Sequence, residues 1–227
     1  MPKLYKKIME ENMLLYPSTM CFDIGKIKEE IESLEKAGVD GFHMDIMDGN
    51  YVPNYALGLN EYKYIRSHTD LTVDAHLMVE NPESKVEFFA DLGCQIFYFH
   101  PEKTDHPVRL ISQIEKSGMA AGIVINPNLE LATIKSLLSL VDYVLVMTVS
   151  PGFAGQKYLD FVDEKIDDLM TYKEKYNFKV FVDGAISKEK VHGLSKKGVD
   201  GFVLGTSALF NKDRPYKELI DELRGNH

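Results

Sequence analysis

The residues most able to do chemistry in this chain are two histidines and two aspartates: His43, Asp45, His76 and Asp183. Each sits at or just past the end of a short apolar run that reads as a buried strand. Two imidazoles and two carboxylates form a suitable ligand set for one divalent metal ion. The mixture suits Zn²⁺, Mn²⁺, Fe²⁺ or Co²⁺ without choosing among them. His43 and Asp45 are two apart on one extended run, so both project to the same face. Taken singly, each histidine reads as a satisfied core residue and each aspartate as a helix cap. Four at equivalent strand ends read as a site. Asp45 and Asp183 would also arrive from opposite sides of a barrel, as chemistry on both faces of one carbon requires.

The elements that must position them alternate along the chain. Strand-like runs fall at 13–16, 41–47, 72–79, 95–100, 120–126, 143–149, 179–183 and 201–205. Most are continuously apolar, the pattern of strands covered on both faces. Between them lie stretches with helical spacing, such as Ile24, Ile27, Ile31 and Leu34, or Leu131, Ile134, Leu137 and Leu138. Alternation of strand and helix argues for a parallel α/β sheet. Eight units favour a single (β/α)8 TIM barrel, in which C-terminal strand ends converge on one mouth. The pentapeptide GVDGF occurs at 38–42 and again at 198–202, each time after a helix and before a strand, which supports a repeat. One domain over 1–227 is expected, with 1–12 as an N-terminal extension.

Three glycine-bearing loops follow the last three strands. They hold Gly152, Phe153, Ala154 and Gly155, then Gly184 and Ala185, then Gly205 and Thr206, the last opening toward a helix. Glycine lets the backbone approach an anion, and exposed N–H groups attract it. Each loop alone reads as a tight turn; three adjacent ones point to a phosphate. Met47, Met78 and Met147 end strands two, three and six and would form an apolar collar over a reactive anion. Ser18, after the first strand, is placed to bond substrate or to cap its turn. His100 and Glu102 are expected in the outer wall.

Bulk properties set limits. The 227 residues carry 26 Lys and Arg against 35 Asp and Glu, a net charge of −9 that argues against general nucleic-acid binding. Two cysteines, Cys21 and Cys94, are too few for a disulfide scaffold or a structural zinc site. No apolar run approaches the ~20 residues of a membrane span, and residues 1–12 lack a signal-peptide core. A cytoplasmic protein with no membrane partner is expected.

These residues closely resemble the ribulose-phosphate 3-epimerase family. The resemblance runs from about Leu14 to Phe210. Its motifs are Pro17-Ser18, the run 43–49 (HMDIMDG), 52–54 (VPN), 74–78 (DAHLM), 100–102 (HPE), Asn126-Pro127, 151–156 (PGFAGQ) and 182–184 (VDG). Such a resemblance implies one divalent metal ion held by His43, Asp45, His76 and Asp183. It implies that Asp45 and Asp183 double as proton acceptor and donor at C3 of a phosphorylated ketose, and that the chain forms a homo-oligomer. Within the family, Met20-Cys21, Met147-Thr148-Val149, 153–155 (FAG) and 205–211 (GTSALFN) look like the allulose-6-phosphate branch. Ala185 stands where a second glycine is usual, and 55–58 (YALG) departs from the usual pattern. The expected reaction is therefore interconversion of D-allulose 6-phosphate and D-fructose 6-phosphate, with D-ribulose 5-phosphate and D-xylulose 5-phosphate as the alternative. His76 and Asp183 are expected to touch substrate together with Ser18 and the three loops. A decarboxylase or aldolase on this fold would want a lysine among its strand-end acids, and none stands there. A non-catalytic sugar-phosphate sensor would have no need of two opposed acids.

Overall fold

The computed structural model describes residues 13–225, so the extension expected over 1–12 lies outside the described residues. The strands are β1 (Leu14–Pro17), β2 (Gly41–Phe42), β3 (Asp45–Asp48), β4 (Tyr55–Ala56), β5 (Thr72–Met78), β6 (Ile96–Phe99), β7 (Ala120–Ile125), β8 (Tyr143–Met147), β9 (Lys179–Asp183) and β10 (Gly201–Leu204). Neighbours pair in parallel from β1 through β10, β9, β8, β7, β6 and β5 to β3, while β2 also pairs β5. The ring closes through a parallel bridge between Ser18 and His43. There the His43 N–H donates to the Pro17 carbonyl at 3.0 Å and the Thr19 N–H donates to the His43 carbonyl at 2.9 Å. This is a parallel (β/α)8 barrel.

The second expected strand is broken at His43 and Met44 into β2 and β3. One local cause is visible: the Met44 N–H bonds the Asp74 carboxylate at 3.3 Å instead of a ladder carbonyl. The strand then runs on to Asp48, where a short antiparallel hairpin with β4 rises over the mouth. His43 therefore sits at a break within a stave rather than at its end.

Helices α1 (Ile27–Ala37), α2 (Leu59–Arg66), α3 (Val86–Asp91), α4 (Pro107–Lys116), α5 (Leu131–Ile134), α6 (Val162–Tyr176), α7 (Lys188–Lys196) and α8 (Tyr216–Arg224) accompany the strands. Their apolar stripes, such as Leu110, Ile111 and Ile114 of α4, join the outward strand residues in one buried layer. Two helical readings shift. Ile24 is 79% exposed, because a 3-10 turn at Ile24–Lys26 precedes α1 and resets the helical phase. The stretch after Leu131 is a short α5 followed by a 3-10 turn at Lys135–Leu137. The loop after β10 also departs from expectation. Gly205 accepts N–H bonds from Leu209 and Phe210 in isolated turns, and the next helix starts only at Tyr216. Asn211, at φ 56°, and Pro215 stop propagation there.

Inward residues fill the barrel in layers. Tyr16, Tyr98, Tyr143 and Phe181 are fully buried and meet edge to face, with Tyr16–Phe181 centroids 5.2 Å apart. Glycines make the room. A Cβ on Gly122 would stand 2.3 Å from the Tyr98 ring, one on Gly201 2.2 Å from Phe181, and one on Gly41 2.5 Å from Tyr16. Gly122 and Gly201 lie in register beside Tyr98 and Phe181.

The repeated pentapeptide has a physical role. The Asp40 N–H donates to the Leu15 carbonyl, and the Asp40 carboxylate accepts the Leu15 N–H at 2.7 Å. Asp200 does the same to Val180, with its carboxylate at 2.7 Å from the nitrogen. Asp142 repeats the pattern on Ala121 and Gln95 on Val73. Each clamps the start of one strand to the strand before it, at the end opposite the mouth.

Candidate active site

At the mouth, the Asp45 and His76 partnership of β3 and β5 puts both side chains on the barrel interior. Asp183 ends β9 opposite Met147 of β8. Together with His43 they offer one ligand atom each within 4.8 Å of one another. His43 Nε2 lies 3.4 Å from Asp45 Oδ1 and 3.8 Å from Asp183 Oδ2. His76 Nδ1 lies 3.4 Å and 3.7 Å from the same oxygens. Those two nitrogens are buried without a hydrogen-bond partner. A tetrahedron with ~2.0–2.1 Å metal–ligand bonds has edges of roughly 3.3 Å, so the donor set fits a divalent cation.

The surroundings fix each ligand. Asp74, fully buried, lies 2.9 Å from His43 Nδ1 and also accepts the Met44 N–H. A proton on His43 Nδ1 satisfies Asp74 and leaves Nε2 bare. Ser18 donates to Asp45 Oδ2 at 2.6 Å, leaving Oδ1 toward the histidines. The Thr148 N–H and hydroxyl both bond the Asp183 carbonyl, at 2.8 and 3.1 Å, and hold that strand end in place. His100 is buried rather than in the outer wall, its Nε2 2.9 Å from His76 Nε2. Asp74, Thr148 and His100 were not singled out as site residues from the sequence. Asp74 carried a usable signal, since it lies two before His76 and so on the same face.

The electrostatics separate the two acids. Burial and then the charge of Asp45 push Asp183 up to about 7. Burial also pushes Asp45 upward, but the adjacent His43 charge and both imidazoles outweigh it and hold that carboxyl well below the usual range. Burial draws His76 down to about 3, whereas for His43 the Asp74 and Asp45 carboxylates outweigh burial and raise it. Two titratable carboxylates with environments this different are able to hold a proton and a charge side by side. Ligands must be deprotonated, so binding a cation here releases protons.

Above the cluster opens a cleft of about 560 Å³, mouth included. Its walls contain Ser18, Asp45 and Asp183 and the expected collar of Met47, Met78 and Met147. All three glycine loops reach it, through Gly152, Phe153, Ala154 and Gly155, Gly184 and Ala185, and Gly205 and Thr206. His43 and His76 are fully buried and are not among the residues that line it. Gly184, at φ 116°, needs glycine, and Ala185 beside it takes φ 51°. Asn54 of the hairpin loop donates to the Gly152 carbonyl at 2.7 Å, tying two rims together.

The model of the ribulose-phosphate 3 epimerase family matches residues 14–210. The chain belongs to the ribulose-phosphate 3-epimerase family. It is accordingly an epimerase, an isomerase acting on carbohydrates. A ribulose-phosphate 3-epimerase of Bacillus subtilis is 36% identical over 213 residues, covering 92% of this chain and 97% of that one. One of Methanocaldococcus jannaschii is 40% identical over 209 residues, covering 91% and 88%. Among solved structures, the tryptophan synthase α subunit of Campylobacter jejuni superposes with a TM-score of 0.68 over 96% of this chain and 98% of that one. At 15% identity that likeness concerns the barrel alone. Among the described residues no helix is long and apolar enough to cross a membrane.

Proposed function

We propose that this member of the family epimerises a ketose phosphate at C3, with Asp45 and Asp183 moving the proton on opposite faces of the carbon. The observation that carries the reading is the pair of carboxylates, both in contact with the same two buried imidazoles and both lining one cleft. A C3 proton lies α to the C2 carbonyl, so its removal gives an enediolate. A divalent ion held by His43, Asp45, His76 and Asp183 would supply Lewis acidity for that developing negative charge. One aspartate accepts the C3 proton on a carboxylate oxygen; the other, already protonated, returns one from the far side. Ser18 fixes the Asp45 carboxylate by donating to its second oxygen. Met47, Met78 and Met147 exclude water from the anion. The backbone N–H groups of the three glycine loops receive the phosphate, and that remote binding energy orients C3 between the acids.

The sugar we assign is D-allulose 6-phosphate, interconverted with D-fructose 6-phosphate. Met20, Cys21, Met147, Ala154, Thr206 and Ser207, which set this chain toward the allulose branch, all line the cleft. The second reading, D-ribulose 5-phosphate, is favoured by the names of the relatives. One carbon is discriminated by only ~1–3 kcal/mol, so the ratio of kcat/KM is the measure. A side-by-side assay on both sugars decides: a ratio favouring ribulose 5-phosphate by about tenfold or more rejects the hexulose assignment and leaves the two-acid chemistry in place. The chain is further proposed to act as one domain and as a homo-oligomer, which light scattering would test.

A further inference from the structure

His43 has a carboxylate to orient it, but His76 has another imidazole. That neighbour is ambivalent, since a neutral imidazole donates from one nitrogen and accepts at the other. At the 2.9 Å contact between His76 Nε2 and His100 Nε2, one ring must donate and the other accept. The far side of His100 settles which. His100 Nδ1 lies 3.0 Å from the Tyr51 hydroxyl. That hydroxyl has a single proton, and Glu102 Oε1, an acceptor only, takes it at 2.9 Å. The Asn126 side-chain amide donates to both Tyr51 and Glu102 at 2.5 Å. Tyr51 is thus left to accept from His100, which carries its proton on Nδ1. Its Nε2 is then bare and accepts from His76 Nε2–H. His76 Nδ1 is in turn bare, and it is the unpartnered buried atom facing Asp45 and Asp183.

We propose that His100, Tyr51 and Glu102 are positioning residues, a one-way file of hydrogen bonds that keeps the His76 proton on Nε2 and its Nδ1 open for the metal ion. The inference rests on the reading of His43, Asp45, His76 and Asp183 as ligands. The opposite order would place a proton on Nδ1 against Asp45 and close the ligand atom. Glu102, three hydrogen bonds from His76, decides between the two orders because it is the one member that can only accept. Its side chain is 30% exposed, so the file runs from a fully buried ligand to the protein surface. Lys103, whose ammonium sits 4.6 Å over the Tyr51 ring, keeps that ring seated.

The test uses the full chain and Zn²⁺ as probe, with affinity read by chelator competition and imidazole tautomers read from ¹⁵N-resolved NMR of the metal-free protein. The wild type should show His76 protonated on Nε2 and His100 on Nδ1. The double variant Tyr51→Phe/Glu102→Leu removes both acceptors near His100 Nδ1 and should bind Zn²⁺ about 10–100-fold more weakly, the usual effect of losing an outer partner of a metal-bound histidine. His100→Leu should do the same. His100→Gln, whose amide oxygen can accept the His76 proton, should recover most of the affinity, which a merely space-filling role for His100 would not explain. The double variant changes half-buried positions and tests the idea even if His100→Leu fails to fold. A His76 proton on Nδ1 in the wild type, or wild-type Zn²⁺ affinity in the double variant, overturns the proposal. Failure of the parent reading looks different: the wild type itself would not bind Zn²⁺, while the tautomers would still decide the direction of the file.

Discussion

Asp74→Asn should weaken His43 as a ligand while leaving the fold intact. Asp74 Oδ1 accepts the Met44 N–H at 3.3 Å and lies 2.9 Å from His43 Nδ1, and Oδ2 lies 3.1 Å from the same nitrogen. In the asparagine variant the Met44 N–H still needs an acceptor, which fixes the amide oxygen on its side. The NH2 group then takes the Oδ2 place, 3.1 Å from His43 Nδ1, as a second donor against the Nδ1 proton. The Nδ1–H tautomer loses one of its two acceptor oxygens and the carboxylate charge, which favours the tautomer whose proton is on Nε2 and points at the two site carboxylates. Losing such an outer carboxylate lowers metal affinity about 10–100-fold, which is ~1.4–2.7 kcal/mol at 1.4 kcal/mol per decade. Stability should move the other way. Burial raises the Asp74 carboxyl in the folded state, ahead of the opposing His43 charge. A carboxylate raised on folding is destabilising above its unfolded-state value, so its neutral replacement should not lower the melting temperature of the metal-free protein at neutral pH. The assay is Zn²⁺ competition together with a metal-free thermal melt and the His43 ¹⁵N signals. Unchanged affinity with a bare His43 Nε2 would refute the argument; a melt several degrees lower would show that Asp74 acts mainly on the fold.

Asp183→Asn should lower turnover by at least ~10²-fold; if it and Asp45→Asn both keep near wild-type rates with metal bound, the two-acid scheme is wrong. Solvent exchange of the C3 proton from one epimer should survive in only one of the two variants, which assigns each aspartate to a face. A ketose lacking its phosphate should lose kcat as well as raise KM, because remote binding positions C3; equal efficiency on the free sugar would remove the glycine loops from that role. Gly201→Ala puts a methyl 2.2 Å from the Phe181 ring and should cost ~1–3 kcal/mol or more. Gly193→Ala, in α7 with open space around it, should instead gain ~0.5–1 kcal/mol; chemical denaturation that finds Gly201→Ala neutral or stabilising would show the barrel interior to be more yielding than its packing implies.

Much of this was legible from residue order alone, for identifiable reasons. Continuous apolar runs mark buried parallel strands, and strand-end residues share a mouth, so His43, Asp45, His76 and Asp183 could be brought together from the sequence. What stayed hidden depends on register. That His100 faces His76 follows from pairing His76 with Tyr98, two positions earlier on β6, and no local pattern states that pairing. The glycine–aromatic partnerships of Gly122 with Tyr98 and Gly201 with Phe181 are likewise cross-strand facts. The break at His43 was invisible because it depends on a carboxylate 31 residues away. Ile24 misled because helical spacing carries no mark of where a 3-10 turn resets the phase.

The floor of Tyr16, Tyr98, Tyr143 and Phe181 seals the barrel beneath the two histidines. A cavity stopped at one end has a single doorway. Sugar and water must share it. Deuterium lifted from C3 onto an aspartate has no drain through the floor, so it is either handed back on the same face or lost to solvent. The fraction of label handed back to the starting epimer therefore becomes a clock for how long the doorway stays shut, and it can be read without any probe attached to the protein. The same stopper divides labour along the barrel. Traffic is settled at the rim, where loops can be exchanged, while the aromatic plug and the strand-to-strand clamps at the far end hold the barrel together.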